Sequence, residues 1–98
     1  MRFDEKVLEL TKKIPHGKVT TYKIIAHELN TKAYRAVGNA LKRNTQPIVI
    51  PCHRVIHSSG HIGGYSRGIK RKIELLKKEG IKIKNNKVVN LHEVLHRF

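Results

Sequence analysis

The chain has 98 residues, 39% of them apolar, enough for one domain with one modest core. It contains no apolar run long enough to span a membrane and no signal-peptide pattern at Met1, and its lone cysteine cannot close an internal disulfide, so a cytosolic home is expected. Lys and Arg number 21 against 7 Asp and Glu, a net charge of +14 that points either to a polyanionic partner or to a heavily solvated surface; charge alone does not separate RNA, DNA and membrane surface.

The first segment, FDEKVLELTKKI, sets Phe3, Val7, Leu10 and Ile14 on one helical face, with Asp4 and Glu5 in the first turn and Lys12 and Lys13 in the last. PHG at 15–17 breaks it. Thr20 or Thr21 then caps a short helix through Leu29, and a turn at Asn30-Thr31 leads into a second helix, KAYRAVGNALKR. Two short helices and a tight turn read as a helix-turn-helix or as an ordinary helical hairpin. Ala33, Ala36, Gly38 and Ala40 keep the second helix slim around Arg35, and a mid-helix glycine costs about 1 kcal/mol relative to alanine, which makes sense where another surface must approach closely.

QPIVIPCHRVI reads as extended and is followed by a glycine-rich loop, SSGHIGGYSRG. A helix over GIKRKIELLKKEG turns Ile69, Ile73 and Leu76 to one face, with Gly80 as its C-terminal cap. IKIKNNKVVN alternates around Asn85-Asn86 as a hairpin, and LHEVLHRF closes the chain as a short helix or tail whose Leu91, Val94, Leu95 and Phe98 form an apolar docking face. The fold class expected is mainly α: a compact helical domain with a helix-turn-helix, an extended active-site segment and a small C-terminal hairpin.

Cys52 is either inert packing or a positioned nucleophile. His53 and Arg54 beside it favour a thiolate, and Pro51 constrains its backbone, so the local pattern is a nucleophile with His53 as its base. PCHRVI, with RAVGNAL upstream and GGYSRG then EG downstream, resembles the active-site domain of O6-alkylguanine-DNA alkyltransferases, in order and with the family's spacing from about Phe3 to Gly80. The segment IPHGKVTTYKIIA resembles the start of that family's helix-turn-helix.

The resemblance implies an irreversible, stoichiometric transfer of the alkyl group from O6-alkylguanine in double-stranded DNA to Cys52, without a cofactor or metal, by a monomer. It implies a cysteine–water–histidine–glutamate relay on Cys52, His53 and Glu79. Base flipping would use Tyr22 to rotate the nucleotide and Arg35 to fill the vacated stack, with Ala36 and Gly38 on the same groove-entering helix. The carbonyls of Cys52 and Val55 would read the guanine amine, the amide of Ser66 would meet its oxygen, Tyr65 would wall the alkyl pocket, and Asn44 would brace the turn before the cysteine. Full-length members usually carry an N-terminal domain, whereas this sequence starts at the catalytic motifs, so residues 1–98 are expected to form one catalytic and DNA-binding domain with motifs at 3–80 and a tail at 81–98. Tyr34 is bulkier than the family's usual residue beside the arginine.

Three rivals stand beside this reading. Alkyltransferase-like damage sensors bind lesions without transfer, but they replace the nucleophile that Cys52 provides. His92-Glu93-Val94-Leu95-His96 spells the zinc-protease HExxH, although only Arg97 and Phe98 follow it. A plain helix-turn-helix regulator would have no use for PCHRV.

Overall fold

The computed structural model describes residues 2–44 and 49–98. Helix α1, Phe3–Lys12, buries Val7 and Thr11, whose hydroxyl donates back to the Val7 carbonyl at 2.7 Å. It ends two residues before the expected Ile14, because the following proline and glycine cannot continue it, yet Ile14 itself is buried. A two-residue strand, β1 (Thr20–Thr21), leads directly into α2 (Tyr22–Glu28), and Thr21 caps that helix by accepting from the Ile24 amide at 3.0 Å. Asn30 then takes a positive φ of 56°, a conformation asparagine tolerates, and the chain turns into α3, Tyr34–Lys42. Helix α3 packs across α1 and α2 through Val37, Ala40 and Leu41, and Arg43 just beyond it grips Asp4 of α1 through two hydrogen bonds.

The run expected to be extended departs from that reading. Gln46 to Ile48 lie outside the described residues. Beyond them, Pro51 (φ −77°, ψ 63°) centres an inverse γ-turn closed by the Cys52 amide on the Ile50 carbonyl, at 2.7 Å. Cys52–Arg54 then form a single 3-10 turn, and only Val55–Ile56 is a strand, β2, paired in parallel with β1 as Thr20 to Val55 and Thr21 to Ile56. The proline's locked φ folds the backbone over just where the cysteine begins.

Helix α4, Ile69–Lys78, packs Ile73 and Leu76 against the core as expected. Lys72 and Leu75 are buried with them, while Ile69 departs from the expected face and is 41% exposed. Gly80, with φ 88°, ends the helix in the left-handed conformation expected of a glycine after a C-cap. Strands β3 (Ile83–Lys84) and β4 (Lys87–Val88) pair antiparallel, with Asn85 and Asn86 both at positive φ between them. They lean on the glycine loop: the Ile62 amide donates to the Asn86 carbonyl and the Val88 amide to Gly60.

Helix α5 spans only Leu91–Val94, after which Leu95 is extended and bridges Val19 in parallel. The HExxH residues therefore do not share one helical face, since His96 lies beyond the helix and its amide donates to Val19. Val94 is buried, and Leu91 and Phe98 pack against two different core clusters, so the apolar tail face is folded onto the domain itself. Among the described residues, no helix is long and apolar enough to cross a membrane.

Candidate active site

The turn through Pro51 brings the Cys52 side chain, 6% exposed, to the wall of a cavity of about 820 Å³ between α2, α3 and the loop before α4. Tyr22, Arg35, Gly38, Tyr65 and Ser66, all expected at the site, line the same cavity. Asn44 is buried beside it and donates from Nδ2 to the Ile50 carbonyl at 3.1 Å and towards the Cys52 sulfur at 3.5 Å, bridging the turn to the thiol. Ala36, half-buried on α3, does not line the cavity. A Cβ at Gly38 would lie 4.0 Å from the Tyr22 ring, an ordinary contact, so the fold itself does not require the glycine there.

Behind the thiol, His53 is buried and its Nε2 meets Glu79 Oε2 at 2.9 Å. The glutamate closes α4 as its C-cap, an unfavourable place for an isolated carboxylate. Arg54 supplies the compensation. Its Nε donates to Oε1 and its Nη2 to Oε2, both at 2.8 Å, while Nη1 reaches the Ile14 carbonyl at 2.8 Å. Sequence adjacency had suggested that Arg54 stabilises the thiolate; its guanidinium is instead engaged by Glu79 and by the end of α1. Burial pushes the Glu79 carboxyl up, but the hydrogen bonds and charges of Arg54 and His53 outweigh it and hold the group below the usual carboxylate range. Burial pushes His53 down, and the hydrogen bond and charge of Glu79 only partly offset this, so the ring is neutral at pH 7. With Nε2–H donating to the carboxylate, Nδ1 carries the free lone pair of a base, and this buried atom has no hydrogen-bond partner in the protein.

The comparisons with known proteins bear on this arrangement. Residues 2–81 match the family model for the 6-O-methylguanine DNA methyltransferase DNA binding domain. The chain belongs to that family. It is 56% identical over 81 residues to a methylated-DNA–protein-cysteine methyltransferase of Saccharolobus islandicus, covering 83% of this chain and 52% of the relative. The O6-methylguanine-DNA methyltransferase structure from Pyrococcus kodakaraensis superposes with a TM-score of 0.75 at 50% identity, over 83% of this chain and 47% of that one. Atl1 of S. pombe, in complex with damaged DNA containing O6-carboxymethylguanine, superposes with a TM-score of 0.85 at 35% identity over 100% of both chains. The chain spans about half the length of the curated relatives it matches.

In this methyltransferase-family domain, two side chains at the site escaped the sequence reading. Lys72 is fully buried on α4 and donates from Nζ to the Val55 carbonyl at 2.7 Å and to the Gly64 carbonyl at 3.2 Å. Burial lowers its pKa to about 8, against a smaller upward pull from Cys52. The available signal was its register, because Lys72 falls on the helical face shared by Ile69, Ile73 and Leu76. His57 lines the cavity with its ring tilted against Tyr22, 5.1 Å between centroids. The space it occupies requires Gly63, where a Cβ would come within 2.9 Å of the imidazole. His61 shares a hydrogen bond with Ser59, and no cluster of three metal-ligating side chains occurs among the described residues.

Proposed function

We propose that this domain repairs DNA by moving an alkyl group from the O6 position of guanine to Cys52. The observation that carries the reading is the joint position of a buried thiol on a cavity with room for a base and a buried His53–Glu79 pair behind it. Neutral His53, held in one tautomer by Glu79, takes the thiol proton through a water at Nδ1. The sulfur attacks the alkyl carbon, the carbon–oxygen bond breaks, and its electron pair stays on the guanine oxygen. Tyr22 donates a hydrogen bond to the base; its hydroxyl keeps its proton because burial, and the nearby Cys52 charge, raise its pKa. The carbonyl of Cys52, and that of Val55 through the lone pair that Lys72 leaves it, read the guanine amine, although Val55 is buried and does not line the cavity in this structure; the Ser66 amide meets the guanine oxygen, Tyr65 walls the alkyl group, and Asn44 braces the thiol. No cofactor is needed, and the transfer ends with the alkylated protein.

The target base reaches Cys52 by leaving the duplex. Helices α2 and α3 act as a helix-turn-helix whose slim second helix enters the minor groove through Ala36 and Gly38, with Arg35 filling the vacated stack. The β3–β4 hairpin supports the glycine loop from below. Residues 1–98 act as one monomeric unit, motifs at 3–80 and tail at 81–98, and a cytosolic, reducing setting suits its lone nucleophilic thiol.

One observation favours a second reading, damage binding without transfer: the superposition with Atl1 runs over 100% of both chains. One experiment separates the two. The protein is incubated with duplex containing O6-methylguanine, and its peptides are weighed. One methyl per chain on Cys52 supports transfer, whereas tight lesion binding with unchanged mass supports the sensor.

A further inference from the structure

We propose that the groove between α2 and the C-terminal tail is an additional phosphate-contact surface, in which Arg97 engages the DNA backbone flanking the site. This rests on the reading of duplex DNA as the substrate. The groove is a second cavity, of about 670 Å³, with Lys23, His27, Lys32 and Arg97 on its walls against one acidic residue, Glu28. All five are exposed, and among the described residues no ion pair engages Lys23, Lys32 or Arg97. Such a concavity presents uncompensated positive charge to a polyanion.

The tail is fixed on both sides of Arg97. The His96 amide donates to the Val19 carbonyl at 2.6 Å, and the Thr20 hydroxyl donates to the His96 carbonyl at 2.9 Å. Phe98 packs against the core and meets the His96 ring edge-on, 4.9 Å between centroids. The backbone beneath Arg97 is thus held while its exposed guanidinium has no ion-pair partner among the described residues.

Two features join the groove to the main cavity. Tyr34 lines both, and the consecutive residues His57 and Ser58 line one each. Extruding a nucleotide into the first cavity leaves its flanking phosphates outside, so the strand crosses this ridge, and the groove beyond it meets the backbone. A guanidinium suits phosphate because its fork of donors matches two oxygens.

The test measures affinity of the full chain for unmodified duplex between 50 and 200 mM salt. Arg97→Gln should reduce the magnitude of the log–log salt slope by about 0.9, so that affinity changes about 3-fold less over that range. Arg97→Lys should keep most of the slope, and the rate with free O6-benzylguanine should not change in either variant. A slope unaltered in Arg97→Gln overturns the proposal. So does a parallel loss of free-base reactivity, which would make the tail a support for the catalytic site. Failure of the underlying DNA reading is seen separately, as wild-type protein without salt-dependent duplex affinity, and it removes this proposal as well.

Discussion

Lys72 donates from Nζ to the Val55 carbonyl at 2.7 Å, with the whole side chain sealed from solvent beneath the strand that follows Cys52. A second bond, to Gly64, ties the same amine to the loop before Tyr65. One buried cation therefore joins the strand after Cys52 to the loop that lines the cavity. Removing it would leave two carbonyls to be resatisfied, while keeping it charged in the interior is unfavourable.

That balance makes stability depend on pH. The folded pKa of Lys72, about 8, lies below the ordinary 10.5, so between these values the unfolded chain binds the extra proton. Stability is fully present above 10.5 and is lost as pH falls through 8, by about 3 kcal/mol in all. Lys72→Met lacks this dependence. Denaturant titrations of both proteins from pH 7.5 to 10.5 should therefore show the wild type gaining about 3 kcal/mol on the variant. A constant difference would mean that the amine does not titrate there.

Glu79 joins His53, Arg54 and the end of α4, so its replacement should affect stability as well as transfer. Glu79→Gln leaves a largely buried guanidinium without its carboxylate, a change that typically costs about 3–5 kcal/mol. In the wild type both Glu79 and His53 have depressed pKa values, and their contributions are full above 4.5 and 6.5 and are lost as pH falls through the lower folded values. The variant should unfold more readily at neutral pH; without the carboxylate that raises its pKa, His53 should make the loss steeper below pH 6.5, while the Glu79 contribution to the loss below pH 4.5 disappears. Melting curves from pH 3 to 7 check both points.

His53 must be neutral to accept a proton, and burial holds its pKa below 6.5. The acid limb of the transfer rate should accordingly lie below pH 6.5. His53→Gln should slow transfer to free O6-benzylguanine at pH 7 and lose that limb, with the defect shrinking towards pH 8.5, about where an ordinary thiol ionises unaided. Single-turnover rates across this range are the measurement; a pH-independent defect would indicate lost packing instead.

Arg35 is exposed in the first turn of α3, at the rim of the cavity. If it replaces an extruded base, Arg35→Ala should slow repair of duplex at least tenfold, about 1.4 kcal/mol, while reaction with free O6-benzylguanine is unaffected. Equal losses on the two substrates would remove the flipping role.

Alkylation should weaken the domain. The sulfur that accepts from Asn44 at 3.5 Å becomes a poorer acceptor, and added carbon presses on a buried turn whose residues are closely packed. Overpacking of this kind costs about 1–3 kcal/mol, which lowers the melting temperature by several degrees in a domain of this size. Benzylated protein should melt below methylated protein, and both below the free thiol. Unchanged melting would show that the 820 Å³ cavity takes up the adduct without strain.

Much of this protein is determined locally and was therefore legible in the sequence. Periodicity marks α1, the Thr21 hydroxyl starts α2, Gly80 follows the end of α4, and Asn85-Asn86 supplies the two positive φ angles between β3 and β4. Pro51, Cys52 and His53 are contiguous, so the thiol and the histidine proposed as its base were already visible as neighbours in the sequence. Partnerships between distant segments were not legible, because charge and adjacency carry no distance. Arg54 sits two residues from the thiol in sequence, yet its guanidinium is engaged 25 residues away by Glu79, since only the packed helix end brings a carboxylate to it. Lys72 reads as one of 21 basic residues until the fold buries it under Val55 and satisfies its amine with two carbonyls. The tail shows the same limit: its apolar residues were visible, but only tertiary pairing with Val19 and Thr20 decides that they close the core and leave Arg97 outside.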